Sequence, residues 1–236
     1  MLNLKNVKED YGNGNILDHN ELDVNPELEK SDEHGHSWGK SLALNLIDTI
    51  KYCNEKDNFF VPSIGLWAKI YMESLKTNDF EKVKPIIDDL NNYWLRTMTM
   101  IVFPTKGQKG YVVHYPYVED DDIKRKDGKL TGKIVIDLED EEIPLLGQSV
   151  FYKDYIPFFD KLFGVGITQE FSNLIKEKFG YFPSLWIAPE ISMTTSPERM
   201  FVFGGFIQYG QGLWLTVHSP DKTLVGTRPF RGVYRK

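Results

Sequence analysis

SWGKSLALNLIDTIKYCNEK, residues 37–56, is the stretch at which a polar N-terminal segment gives way to a chain that can fold. Apolar side chains recur in it every four residues, at Trp38, Leu42, Leu46 and Ile50. This spacing is typical of a helix with one buried face. We therefore predict that a folded body begins here with a helix whose N-cap is Ser37.

Two further helices and then a series of strands are expected after this first helix. We predict a helix over residues 63–76 with Ser63 as its N-cap. A third helix is expected over residues 79–96, and Pro85 either kinks its first turns or marks its true start. The sequence then becomes rich in β-branched and aromatic residues, which favour strands. The three strands predicted on this basis cover residues 97–103, 111–117 and 133–139.

The second half of the chain predicts more helix and then more strand. Helices are expected near 151–163 and over 168–179, and the last quarter indicates strands joined by YGQG and SPDK turns. We predict that these C-terminal strands form an antiparallel meander. The order of elements favours an α+β fold over repeated βαβ units. We expect a single α+β body over 37–236, with about three helices in 37–96 and mostly β-structure, with two helices, in 97–236.

Charge is distributed along the chain far less evenly than its net value of −6 suggests. Residues 1–36 contain nine acidic residues against three lysines, and the rest of the chain is balanced. Residues 222–236 contain five basic residues and no acidic one. Because a polar, acidic segment buries little apolar surface, we predict that residues 1–36 form an extended acidic arm outside the core.

The opposite charges of the two ends suggest how copies of the protein contact one another. We expect the acidic arm to dock against a basic surface, on its own body or on a neighbouring copy. A head-to-tail contact of that kind repeats around a ring or along a filament. The expected partner-binding residues are Glu27, Glu29, Asp32 and Glu33 in the arm and Arg228, Arg231 and Arg235 near the basic end.

Composition limits the compartment in which the chain is expected. The one cysteine, Cys53, rules out an intrachain disulfide and a cysteine-based zinc site. No apolar run approaches the roughly 18 to 20 residues that a membrane span requires, and no apolar signal segment follows Met1. We therefore expect a reducing compartment, either the cytoplasm or the interior of a virion, and no membrane span.

Two short segments resemble cofactor sites, one a phosphate-binding loop and the other a metal site, but neither is complete. In HGHSWGKS, residues 34–41, three residues separate the two glycines, whereas a phosphate-binding loop has the spacing G-x-x-x-x-G-K. Asp32, Glu33, His34 and His36 carry metal-ligating atoms, but a flexible segment would have to become ordered around the ion. We expect no cofactor and no bound metal.

Two alternatives to an assembly subunit remain open. The first is an enzyme whose site is built from dispersed residues, namely His114, His218, Glu190 and Arg199. The second is a nucleic-acid-binding accessory protein that uses TRPFRGVYRK, residues 227–236, in which arginines are interleaved with aromatic residues.

The function that the sequence favours is structural rather than catalytic. The chain contains no G-x-S-x-G or H-E-x-x-H signature. Lysines outnumber arginines by 22 to 6 and only three alanines occur, a composition typical of an AT-rich genome. We predict a structural or interaction subunit of an oligomeric assembly. Its expected partners are further copies of itself and other proteins, as in a virion component such as a phage connector or tail-ring protein.

Overall fold

The computed structural model describes most of the chain, and all structural statements refer to these residues. They are residues 2–29, 36–38, 41–92, 95–105, 107–139, 149–151, 154–180, 182, 184–186, 198–204, 214–218 and 228–236. Within these ranges five helices accompany several sheets, most of whose strands are antiparallel. The predicted mixed α+β fold is therefore confirmed.

The helices are short, and none of those described has the length and apolar character of a membrane span. They are α1 (Leu46–Asn54), α2 (Ile64–Lys76), α3 (Phe80–Asn92), α4 (Ile156–Phe163) and α5 (Ile167–Phe179).

The strands vary from two to nine residues. They are β1 (Leu2–Asp10), β2 (Ile16–Val24), β3 (His36–Trp38), β4 (Ser41–Leu44), β5 (Phe59–Phe60), β6 (Leu95–Val102), β7 (Tyr111–Pro116), β8 (Val118–Glu119), β9 (Asp122–Ile123), β10 (Arg125–Lys126), β11 (Lys129–Leu130), β12 (Gly132–Asp137), β13 (Ser149–Phe151), β14 (Ser184–Trp186), β15 (Glu198–Gly204), β16 (Trp214–His218), β17 (Arg228–Pro229) and β18 (Val233–Arg235).

The N-terminal segment forms a β-hairpin instead of the predicted arm. Strands β1 and β2 pair in antiparallel register, from Leu2 opposite Val24 to Asp10 opposite Ile16. Strand β18 pairs with β2 and with β5, giving the sheet order β1-β2-β18-β5. The side chains of Leu4, Leu22 and Val24 are buried in the main core. Residues 2–24 therefore lie in a sheet, because alternate positions of both strands face the core.

The turn that joins β1 to β2 explains why this hairpin forms. The connecting residues have the sequence YGNGN, and Gly12, Asn13 and Gly14 all have positive φ values. Glycine and asparagine adopt this left-handed backbone conformation more readily than other residues. The backbone N–H of Tyr11 donates to the carbonyl of Asn15 at 3.0 Å and closes the turn.

A seven-stranded sheet forms the second layer of the molecule, in the order β12-β7-β6-β15-β16-β14-β13. Strand β16 lies between β15 and β14, and it pairs with β14 in parallel. Strands β17 and β18 belong to two other sheets. Strands β15 and β16 pair with each other as a meander requires, but β14 pairs with β16 in parallel and β17 and β18 join other sheets, so the predicted antiparallel meander is not confirmed.

The segment 37–56 begins as strand and becomes helix only at Leu46. Strands β3 and β4 pair with each other, and α1 follows them. Asn45 caps α1, since its side chain accepts a hydrogen bond from the backbone N–H of Asp48 at 2.9 Å. The prediction that Ser37 caps this helix is wrong, because Asn45 in extended conformation ends the strand and supplies the cap.

Helix α2 agrees with the sequence pattern and occupies the centre of the fold. Ser63 caps it by accepting from the backbone N–H of Leu66 at 3.0 Å, as predicted. The helix packs against α3, α4 and α5 and against strands β1 and β6. Gly65 permits the approach of α4, because a Cβ atom there would lie 2.6 Å from the carbonyl oxygen of Phe163. Because α2 makes these contacts, its N-cap Ser63 lies between the other helices and the sheets that contain β1 and β6.

The third helix is shorter than its prediction. It contains Pro85 and ends at Asn92, and the chain from Leu95 onward belongs to the fully buried strand β6. The apolar residues of 95–102 are buried on both faces of the sheet, so their spacing does not distinguish a helix from a central strand.

Candidate functional site

Glu9 lies at the centre of a buried polar cluster where the N-terminal hairpin meets the main body. Its carboxylate is completely buried and is surrounded by hydroxyl and imidazole groups from β2, α2 and β7. Four side chains contribute hydrogen bonds to it. They are Tyr11 (2.7 Å), Tyr115 (2.7 Å), His19 (2.7 Å) and Ser63.

The hydrogen bonds keep this carboxylate ionised. Burial by itself raises the pKa of Glu9, but hydrogen bonds from His19, Ser63 and Tyr11 outweigh burial and lower the pKa below its ordinary value. Burial also raises the pKa of Tyr11 and Tyr115 well above the ordinary range, so both phenols stay protonated and donate. The N-terminus of α2, at Ser63, adds a partial positive charge that favours the anion.

A second chain of hydrogen bonds fixes His114 beside this cluster. Its Nε2 contacts the backbone carbonyl of Lys161 at 2.9 Å, and a carbonyl can only accept, so Nε2 carries the proton. Nδ1 therefore accepts from the hydroxyl of Thr99 at 3.0 Å, and that hydroxyl accepts from the backbone N–H of Ile64 at 3.0 Å. Burial lowers the pKa of His114 to about 4, so the imidazole is neutral.

The polar groups of this cluster are buried and already engaged in hydrogen bonds within the chain. The ring of Tyr11 stacks on that of His114 at 4.0 Å and covers it. Among the described residues, Nδ1 of His19 has no hydrogen-bond partner, but His19 itself is buried against the ring of Phe60.

An open cleft of about 240 Å³ lies on the other side of Tyr115 and Phe60. Its apolar part includes Phe59, Val61 and Met98, and its charged part consists of Lys133 and Arg235. Tyr115 takes part in both sites, since its hydroxyl bonds to Glu9 while its ring lines the cleft.

Each of the two cations in the cleft lies over an aromatic ring. The Nζ of Lys133 is 5.4 Å from the ring centre of Tyr115, and the Cζ of Arg235 is 4.2 Å from that of Phe60. The two ring centres are 6.1 Å apart. A cation–π contact attracts the charged group to the face of the ring, and the N–H donors of that group stay available for other partners.

Neither cation forms an ion pair with a carboxylate in the part of the chain that the structure describes. Partial burial lowers the pKa of Lys133, and the positive charge of Arg235 lowers it further, although distant Glu9 acts in the opposite direction. Two like charges are thus held at one cleft. An acidic group supplied by another molecule would relieve their repulsion.

The backbone of Tyr115 is strained at the place where it reaches the cleft. Its φ is 53°, a left-handed value that is unusual for a bulky residue. Gly132 of β12 pairs with the next residue, Pro116, and a Cβ atom at Gly132 would be 2.8 Å from the carbonyl oxygen of His114 and 3.0 Å from that of Tyr115. Backbone strain persists in a folded protein when surrounding contacts fix the strained residue in place. The hydroxyl of Tyr115 is fixed in this way, because it donates to the carboxylate of Glu9 and accepts from the backbone N–H of Ser63.

The predicted contact residues differ in where the structure places them. Glu29 is buried and accepts hydrogen bonds from the Tyr52 hydroxyl at 2.7 Å and from Nζ of Lys56 at 3.1 Å. Arg231 is also buried, and its guanidinium donates to the backbone carbonyls of Asn25 and Pro85. These two residues were expected on a contact surface, and they instead hold the fold together.

The other predicted contact residues include one that lies in the cleft. Arg235 lines it, and Glu27 is exposed on the loop after β2. The backbone of Arg228 pairs with Leu44 in the sheet that contains β17 and β4. Asp32 and Glu33 lie outside the described residues.

The register of the large sheet separates the two histidines of the enzyme alternative. His114 on β7 pairs with Thr99 on β6, and His218 on β16 pairs with Met200 on β15. Because β6 and β15 lie between their strands, three interstrand spacings, roughly 14 Å, separate the two positions. Arg199 lies on β15, and Glu190 lies outside the described residues.

Sequence reasoning did not find Glu9, Tyr11, His19 and Tyr115 as one cluster, nor Lys133 as a cleft residue. The available signal was the YGNGN turn, which predicts a hairpin and would have placed Glu9 and His19 on adjacent strands. The contact of Glu9 with Tyr115 spans 106 residues and has no local signal.

Comparison of the chain with protein-family models, with curated proteins and with solved structures finds no match.

Proposed function

We propose that the protein is a non-catalytic interaction subunit of an oligomeric assembly, and that the cleft is one of its contact sites. The observation that supports this proposal is the pair of cations, Lys133 and Arg235, that face the cleft without a carboxylate partner among the described residues. The chain as a whole has a net charge of −6, so acidic groups are abundant on its neighbouring copies. An acidic group from another subunit is the natural occupant.

The state of the buried reactive groups supports a non-catalytic role. Glu9 is saturated with hydrogen bonds, and His114 is neutral with both ring nitrogens engaged. Burial raises the pKa of Cys53 to about 12, so its thiol is not a nucleophile at neutral pH. These groups stabilise the fold and are not poised to react.

The nucleic-acid alternative loses part of its support. Arg231 is enclosed by backbone carbonyls, so the arginines of 228–235 do not form a continuous exposed set. Arg235 remains in the cleft beside Lys133. Two cations in a small aromatic cleft fit a carboxylate better than they fit an extended phosphate backbone.

The finer form of the proposal is a virion component, such as a phage connector or tail-ring protein, that contacts copies of itself and other proteins. Its support is the composition of the chain, which is rich in lysine and poor in alanine. The expected compartment is the cytoplasm or the virion.

The test measures the mass of the protein in its native context and in isolation. Native lysate is fractionated at low and high salt, and the protein is located by antibody and mass spectrometry. We expect it in particles several times its monomer mass of 27.4 kDa, released by Lys133→Gln with Arg235→Gln but not by Lys126→Gln. Lys126 is an exposed lysine on β10 that does not line the cleft. A monomer in lysate at every salt concentration would overturn the proposal.

A further inference from the structure

We propose that the acidic partner of the cleft is the segment 117–122 of a second copy, so that two copies dock reciprocally about a two-fold axis. This inference rests on the proposed function and names the partner for the same site. The segment has the sequence YVEDDD, an aromatic residue followed by a β-branched one and four acids. Aromatic rings and two cations in the cleft complement that chemistry.

The acidic turn is available for contact. Tyr117 is 45% exposed, and the turn between β8 and β9 is exposed as well. Within the described residues, the carboxylate of Asp120 has neither a hydrogen bond nor an ion pair, and its backbone is left-handed with φ 47°. Asp120, in the turn that follows the cleft residues Tyr117 and Val118, and Lys133, in the cleft itself, are therefore complementary charges without an ion-pair partner among the described residues.

The turn and the cleft share one face of the molecule. Tyr117 and Val118 line the cleft, and the turn follows directly after them. An ion pair between Lys51 of α1 and Asp121 anchors the turn beside α1, which itself contributes Ile50 and Cys53 to the cleft wall. The acidic group and the cationic group thus lie around one opening.

This arrangement is self-complementary. A two-fold axis through such a face places the turn of each copy against the cations of the other, which is the geometry of an isologous dimer. Tyr117 lines the cleft, immediately precedes the turn and is exposed, and aromatic residues are enriched at the centres of interfaces. Every contact then occurs twice, so two copies of an exposed ion pair, each of which contributes little, add to the free energy of dimerisation.

Charge exchange between the two sides tests the contact. The variants are Lys133→Glu, Asp120→Lys and the two combined, with Lys126→Glu as a matched control on an exposed lysine away from the cleft. Dimer dissociation constants are measured by analytical ultracentrifugation at low salt. We expect each single variant to weaken the dimer by about tenfold or more, and the combined variant to recover most of the loss because each pair forms again with reversed signs. Lys126→Glu should leave the constant unchanged.

Folding is monitored by circular dichroism, and Asp120→Asn provides a second test, since asparagine tolerates the left-handed backbone and removes only the charge. A purified protein that stays monomeric at millimolar concentration would overturn the inference, as would a combined variant that is weaker than either single one. If the monomeric protein still enters native particles through Lys133 and Arg235, the proposed function stands and the second copy is the wrong partner.

Discussion

Glu9 is an ionised carboxylate in the core, and its stability depends on four donors from separate parts of the chain. Tyr11 and His19 come from the N-terminal hairpin, Ser63 from the start of α2 and Tyr115 from β7. A buried charge is tolerated when hydrogen bonds replace its water, and its loss leaves the donors unpaired. This one residue therefore joins three elements.

Replacement of Glu9 by Gln is expected to destabilise the protein by about 3 kcal/mol, because an amide N–H₂ would face hydroxyl donors in place of an acceptor oxygen. Urea unfolding at pH 7 measures the change. Asp18→Asn, on the exposed face of β2, is the matched control and should change stability little. Equal stabilities of Glu9→Gln and wild type would show that the carboxylate is not needed.

The pH dependence of this effect has a definite sign. The pKa of Glu9 is lower in the folded state, so its stabilising contribution is complete above the ordinary value of 4.5 and is lost as pH falls through the lower folded value. The difference between wild type and Glu9→Gln should therefore narrow only below about pH 4.5.

His114 predicts a second, higher pH window. Its pKa falls from 6.5 to about 4 on folding, so the unfolded chain takes up a proton between these values and the folded chain does not. Stability should fall by about 3 kcal/mol as pH decreases from 6.5 to 4. His114→Gln removes this titration, so its unfolding free energy should depend less on pH across that range. Parallel pH profiles for the two proteins would contradict the assignment.

At the scale of elements, the sequence predicted a helix defined by neighbouring residues but did not predict which strands pair. Helix α2 was predicted with its cap because Ser63 and the apolar spacing after it lie within one helix length. The hairpin β1–β2 was missed because its composition is polar, although its YGNGN turn and the alternation around Leu4 and Leu22 were present. The parallel pairing of β14 with β16 has no local signal.

Removal of residues 1–24 is expected to abolish cooperative unfolding. The sequence alone indicated an extended arm outside the core over 1–36, but the hairpin contributes buried Leu4, Leu22 and Val24 and the carboxylate that Tyr115 and Ser63 require. The truncated protein is compared with the full chain by thermal unfolding and near-ultraviolet circular dichroism. A sharp transition and an intact near-ultraviolet spectrum would restore the arm prediction.

At the scale of the whole molecule, the sequence shows where charged residues occur along the chain but not which of them are buried and which are accessible in the fold. Arg231 and Arg235 are four residues apart, yet the first is enclosed by backbone carbonyls and the second lies in the cleft. Glu29 is likewise internal. Which charges face a partner depends on sheet pairing between distant segments, and composition does not contain that information.

Salt provides a measurement at this scale. The proposed dimer contact joins exposed charges, so it should weaken as sodium chloride rises from about 0.05 M to 0.5 M, where screening acts over a few ångströms. The free energy of unfolding should change much less, because the Glu9 cluster is buried and is not screened. Sedimentation and urea unfolding at both salt concentrations check this. A dimer that strengthens with salt would indicate an apolar interface.

The pairing of β18 with β2 has a consequence for synthesis of the protein. On the ribosome, β2 emerges early and its outer edge has no partner until residues 233–235 arrive, after the greater part of the chain has been translated. An unpaired strand edge invites association with other nascent chains, and contacts so distant in sequence form slowly. The hairpin is therefore the region where a chaperone would be expected to bind during translation.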